Sequence, residues 1–132
     1  MKKILLIEDD RRVSQAIGIS LKAMGYQVAT GSDAVSAAAQ ARKFAPDVVV
    51  LDLNLPGGDG FTVAERLQQL TETAAVPIIF ITASKQEGLH ERARAAGASR
   101  LLEKPFGITE LAEAIESAHT RFGTPLEDLQ IG

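Results

Sequence analysis

Five short apolar runs, each followed by a stretch with helical spacing, constrain this chain more than any other feature. The runs are residues 3–7, 26–30, 47–51, 77–82 and 100–103. The third, VVVL before Asp52, is apolar throughout, which is what a strand covered on both faces requires. Between the runs, apolar residues recur three and four apart. Val13, Ile17, Leu21 and Met24 form the first such stripe, starting near Arg11, and Gly25 supplies a stop. The second pattern, residues 33–44, is alanine-rich, with Ser32 and Asp33 as cap candidates and Pro46 as its breaker. Phe61, Ala64 and Leu67 mark the third. The fourth, 85–96, is weakly amphipathic and interrupted by Gly88. The fifth runs over 108–122 through Leu111, Ile115 and Ala118.

Five consecutive strand–helix units predict a parallel sheet with helices on both faces. The expected α/β architecture is a flavodoxin-like, doubly wound five-stranded parallel sheet, order 2-1-3-4-5, with five helices. Ligands of such sheets bind beyond the carboxyl ends of the strands. At 132 residues one domain suffices, expected over 1–122, with 123–132 as a C-terminal tail or linker stub. A net charge of -3 argues against a dedicated nucleic-acid surface, so no direct nucleic-acid binding is expected. The absence of cysteine excludes disulfides, thiolate metal sites and cysteine nucleophiles. The opening MKK resembles the start of a signal peptide, but its apolar run, residues 4–7, meets Glu8, Asp9 and Asp10 at once. No stretch reaches membrane-spanning length, and a cytoplasmic location with no membrane contact is expected.

The residues just after each strand carry the chemistry. They are Glu8, Asp9 and Asp10, then Asp52, then Thr82, then Lys104 with Pro105. The predicted topology gathers them on one rim. Carboxylates converging there would repel one another, and a hard divalent cation such as Mg²⁺, which prefers oxygen ligands, relieves this. The ammonium of Lys104 would compensate Asp52 further. A carboxylate can also attack phosphorus to give an acyl phosphate, a transfer assisted by charge stabilisation. The Thr82 hydroxyl could donate to arriving phosphoryl oxygens, and Ala83 leaves room for them.

The set Asp9-Asp10, Asp52 followed by LNLPGGDG, Thr82-Ala83 and Lys104-Pro105-Phe106 resembles the receiver domain of two-component response regulators, over residues 1 to about 120. That resemblance implies phosphoryl transfer onto Asp52 from the phosphohistidine of a sensor histidine kinase or histidine phosphotransfer protein. It implies Mg²⁺ held by Asp9, Asp10, Asp52 and the backbone carbonyl of Asn54, with Glu8 a neighbour of the pocket and not a ligand. Lys104 would pair with the phosphoryl group, Thr82 would switch toward it, and the Lys104–Pro105 peptide would be cis. Asn54 and Ser84 would flank the site where hydrolysis of the acyl phosphate is tuned. Output would pass through the face made by the fourth helix, fifth strand and fifth helix, to a downstream protein, an output domain or a second copy. One position departs from the family pattern: Leu101 stands where Tyr or Phe is usual.

Blander readings accompany these. Asp9 and Asp10 could be helix-start acids. Lys104 could be a surface lysine and Pro105 a helix-entry residue. Gly57-Gly58 reads as a turn, lacking the Lys-Ser or Lys-Thr of a phosphate loop, and Asp59 as a helix cap. His90 and His119 read as surface residues. Among other functions, an aspartate phosphohydrolase commonly carries a second carboxylate where this chain has Asn54. A flavin or nucleotide phosphate would be repelled by Glu8-Asp9-Asp10. A receiver-like module that binds partners without phosphorylation sits poorly with the full set of Asp52, Thr82 and Lys104.

Overall fold

A computed structural model describes residues 2–118. The strands are β1 (Lys3–Ile7), β2 (Gln27–Gly31), β3 (Val48–Asp52), β4 (Ile78–Thr82) and β5 (Arg100–Glu103). The helices are α1 (Arg11–Ala23), α2 (Ala37–Phe44), α3 (Gly60–Gln69), α4 (Leu89–Ala95) and α5 (Ile108–Glu116). All neighbouring strands of the main sheet pair in parallel, in the order β2-β1-β3-β4-β5. The flavodoxin-like arrangement read from the sequence is the one observed.

Strand alternation divides the core in two. Ile4, Leu6, Val48, Val50, Ile79, Ile81 and Leu102 pack with Ile17 and Leu21 of α1 and Leu111 and Ile115 of α5. Leu5, Ile7, Val49, Leu51, Ile78, Phe80 and Leu101 face the other way, against α2, α3 and α4. β3 and β4, inside the sheet, are buried along their whole length. That explains their unbroken apolar character.

Several boundaries differ from the sequence reading. α2 starts at Ala37 and not at residue 33, because the Asp33 carboxylate accepts the Ser36 backbone N–H at 2.8 Å and its hydroxyl at 2.9 Å, closing a separate turn. α4 begins only at Leu89 and not at residue 85, because Gly88 takes a φ of 83°, incompatible with a continuing right-handed helix. Met24 is not part of the buried stripe: it ends α1 and stands 47% exposed, with Gly25 following at φ 98°. A two-rung antiparallel ladder, Asn54–Leu55 with Gly58–Asp59, joins β3 to α3. His119, the expected end of the fifth helix at 122 and the tail 123–132 lie outside the described residues. Among the described residues, no helix is long and apolar enough to cross a membrane.

Candidate functional site

The register that builds the sheet also builds the site. β1 and β3 run side by side with Ile4 opposite Val48 and Ile7 opposite Leu51. Continuing both strands by one residue sets Glu8 beside Asp52, on the side of the sheet that faces α1 and α5. Lys104, two residues beyond Leu102, comes from that side as well. Its amino group donates to Asp52 Oδ2 at 2.9 Å and to Glu8 Oε1. The other Asp52 oxygen, Oδ1, accepts the Asn54 backbone N–H at 2.9 Å. Glu8 Oε2 accepts the Asp10 N–H at 3.1 Å. Both carboxylates are buried, with 4% of Asp52 and 2% of Glu8 exposed.

Oxygens of Glu8, Asp9 and Asp52 lie within 4.8 Å of one another, so each can contribute one ligand atom to a single cation. Asp10 is not in this group. Its carboxylate caps α1, accepting the N–H groups of Arg12 at 2.9 Å and Val13 at 3.3 Å. The structure thus brings Glu8, and not Asp10, together with Asp9 and Asp52. The bland helix-start reading applies to Asp10 alone. The β1–β3 register, continued one residue past Ile7 and Leu51, is what sets Glu8 and not Asp10 beside Asp52.

Burial, reinforced by the nearby Asp52 carboxylate, raises the pKa of Glu8 against the opposing pull of Lys104 and the Asp10 N–H. For Lys104, burial favours the neutral amine, but the hydrogen bonds and charges of Glu8 and Asp52 outweigh it and raise the pKa. The rim therefore keeps its lysine charged.

Thr82 and Leu101 come from the opposite side of the sheet, the one facing α3 and α4. Thr82 is fully buried and its Oγ1 accepts the Ser84 N–H at 3.0 Å, which leaves the hydroxyl proton free to donate. Ala83 beside it is exposed. Leu101 pairs in register with Phe80 and is 9% exposed, part of the apolar core. The Lys104–Pro105 peptide is cis. Asp59 caps α3 through the Thr62 N–H at 2.8 Å. His90 is exposed but partnered: Glu103 accepts from Lys85 at 3.1 Å and lies 3.3 Å from His90 Nε2. The hydrogen bonds from Lys85 and then His90 hold the Glu103 carboxyl below its ordinary range.

The oxygen-only donor set of Glu8, Asp9 and Asp52 suits a hard cation such as Mg²⁺. An ammonium on the central carboxylate and a hydroxyl at the next strand end complete a site suited to anionic phosphoryl oxygens.

Comparison with known proteins agrees with this geometry. Residues 4–116 match the response regulator receiver domain. The DNA-binding dual master transcriptional regulator RpaA of Synechocystis is 36% identical over 117 residues, covering 89% of this chain and 48% of its own length. The transcriptional regulatory protein PdtaR of Mycobacterium tuberculosis is 35% identical over 122 residues, covering 92% of this chain and 58% of its own. The chain thus spans about half the length of these relatives. Among solved structures, the receiver domain of the sensor histidine kinase PA1611 of Pseudomonas aeruginosa, with a magnesium ion coordinated in its active site cleft, superposes with a TM-score of 0.79. It is 30% identical over 87% of this chain and 94% of its own. The non-phosphorylated HemR receiver domain of Leptospira biflexa gives 0.79 at 32% identity, over 88% and 92%. With family match, sheet order and rim chemistry in agreement, this chain belongs to the response regulator receiver domain family.

Proposed function

We propose that this chain is a phosphorylation switch in which Asp52 takes a phosphoryl group from the phosphohistidine of a sensor histidine kinase or histidine phosphotransfer protein. Receiver domains are regulators and not enzymes acting on metabolites, and membership implies phosphorylation-dependent signalling. The observation that carries the assignment to Asp52 is its place at the end of β3, 4% exposed, with the Lys104 ammonium 2.9 Å from Oδ2.

In the transfer, an Asp52 carboxylate oxygen forms the bond to phosphorus as the bond from phosphorus to the donor nitrogen breaks. The nitrogen keeps the electron pair. Lys104, already on Asp52, turns to the added phosphoryl oxygens and neutralises part of their charge. Thr82 supplies a hydroxyl donor from the opposite face of the sheet. Glu8, Asp9 and Asp52, with the Asn54 carbonyl across the open cleft that Asp9 and Asn54 border, would hold Mg²⁺. When bound, the ion offsets the negative charge gathered by carboxylates and phosphate. A rearrangement at Thr82 reaches the loop before α4, since Ser84 hangs on its hydroxyl oxygen. Output then passes through the face of α4, β5 and α5 to a downstream protein, an output domain or a second copy of the chain.

Incubation with acetyl phosphate and Mg²⁺ should add the mass of one phosphate. The addition should vanish in Asp52→Asn and in EDTA. Unchanged labelling of the Asp52→Asn protein would overturn the assignment.

A further inference from the structure

Beside the phosphoacceptor, on the α3–α4 side of the sheet, lies a cavity of about 160 Å³. Asn54, Asp59, Phe61, Thr82, Ser84 and Arg92 are among the residues that line it. Arg92 gives its wall a positive charge, held in place by packing: the guanidinium carbon sits 4.1 Å from the centre of the Phe61 ring. Phe61 in turn lies against Phe80 of β4, with centroids 4.9 Å apart. A planar guanidinium stacked on an aromatic face keeps its N–H edge free for an anion. Among the described residues, no carboxylate lies within ion-pair distance of Arg92. Asp59 also lines the cavity; its Oδ1 accepts the Thr62 N–H at 2.8 Å, and the carboxylate, still anionic, makes no ion pair with Arg92.

The site is therefore polarised. Glu8 and Asp9 cluster on the α1 side of Asp52, and on the α4 side Arg92, without an ion-pair partner among the described residues, borders a cavity that also reaches Asn54, Asp59 and Thr82. We propose that Arg92 is a specificity-determining residue that favours small phosphoryl donors whose leaving group departs as an anion, an inference that rests on the phosphoacceptor reading above. With an acyl phosphate, an Asp52 oxygen bonds to phosphorus while the bond from phosphorus to the acyl oxygen breaks. The carboxylate leaves with the electron pair and its negative charge, with no proton or electron transferred. With phosphoramidate, whose nitrogen already carries its third proton in the zwitterionic form, the bond from phosphorus to nitrogen breaks instead, and the nitrogen keeps the electron pair and leaves as neutral ammonia. Only the first leaving group gains from a guanidinium in the cavity.

The test compares rates of Asp52 labelling by acetyl phosphate and by phosphoramidate, in Mg²⁺, for the wild type, Arg92→Ala, Arg92→Lys and Phe61→Leu. Arg92→Ala should slow labelling by acetyl phosphate about tenfold while changing that by phosphoramidate less than about twofold. Arg92→Lys should restore part of the difference, and Phe61→Leu should fall between wild type and Arg92→Ala. Raising the ionic strength should shrink the wild-type advantage with acetyl phosphate. Arg92→Ala leaving both rates unchanged, or slowing both equally, would overturn the inference. A wild type labelled by phosphoramidate alone would overturn it while leaving the phosphoacceptor reading intact. Labelling by neither donor would overturn that reading, and this inference with it.

Discussion

At the scale of single residues, buried charge is tolerated here only where a partner is in reach. Glu8 and Asp52 share the one ammonium of Lys104, and each also accepts a backbone N–H two residues along the chain. Losing one member of such a group strands the others, which is far more costly than the group is stabilising. A second shared carboxylate, this one exposed, stands at the opposite end of α5. Tyr26, the chain's single tyrosine, donates its hydroxyl to Glu116 Oε2, and Lys2 donates to Oε1 at 3.2 Å. Burial, and then the hydrogen bond and charge of Glu116, push the phenol up to about 12 from its ordinary 10.0. A raised value means that the folded chain keeps a proton that the unfolded chain would release. This contribution to stability is whole below the ordinary value and is lost as pH rises through about 12. Tyrosinate absorbance of the folded protein, with circular dichroism confirming the fold, should therefore titrate near 12. Glu116→Gln should move the midpoint toward the ordinary value. An unshifted wild-type midpoint would show that the contact does not form in solution.

At the scale of elements, the joint between β3 and α3 decides where Asp52 points. The chain leaves β3 at Leu53, turns through Gly57 and Gly58 at φ 84° and 153°, and returns so that the Gly60 N–H donates to the Leu53 carbonyl at 2.9 Å. A Cβ on Gly60 would stand 2.5 Å from the Asp52 carbonyl oxygen and 2.8 Å from the Leu53 Cα, both backbone atoms that cannot turn aside. At Gly31 a Cβ would meet the end of the Gln40 side chain, which can turn aside, and the Cδ1 of buried Ile7, a side-chain tip and not backbone. Gly60→Ala should then cost roughly 1–3 kcal/mol in urea unfolding, and Gly31→Ala less than about 1. Equal midpoints for the two variants would mean that the joint has slack the geometry does not show. This joint was only partly legible in the sequence. Gly57-Gly58 announced a turn and Asp59 a cap, but a ladder of two rungs is too short to leave a periodic trace. The starts of α2 and α4 escape the apolar pattern for a related reason. Apolar spacing says where a helix buries its face, while Asp33 and Gly88 decide where it begins, one through a local hydrogen bond and the other through a left-handed φ.

At the scale of the whole molecule, one sheet holds two half-sites in a single rim. Strands that continue past the core deliver Glu8, Asp52 and Lys104 on the α1–α5 side and Thr82 on the α3–α4 side, behind which Leu101 is already packed. The alternation of strands and helices made the sheet order readable, and the strand ends then named nearly every residue of the rim. What periodicity could not show was which of three consecutive acids turns inward, because that depends on the residue at which β1 gives way to α1. The answer separates two roles that thermal melts can distinguish. Mg²⁺ at a hundredfold excess over its dissociation constant should stabilise the wild type by about 2.7 kcal/mol, a shift of roughly 10 °C for a domain of this size. Asp9→Asn removes a ligand and should flatten the response to Mg²⁺. Asp10→Ala removes only the α1 cap. It should lower stability by about 1 kcal/mol with and without the metal, leaving the shift on adding Mg²⁺ as in wild type. If instead Asp9→Asn and Asp10→Ala both lose the Mg²⁺ response, the ion is held by the pair Asp9–Asp10, and Glu8 serves Lys104 alone.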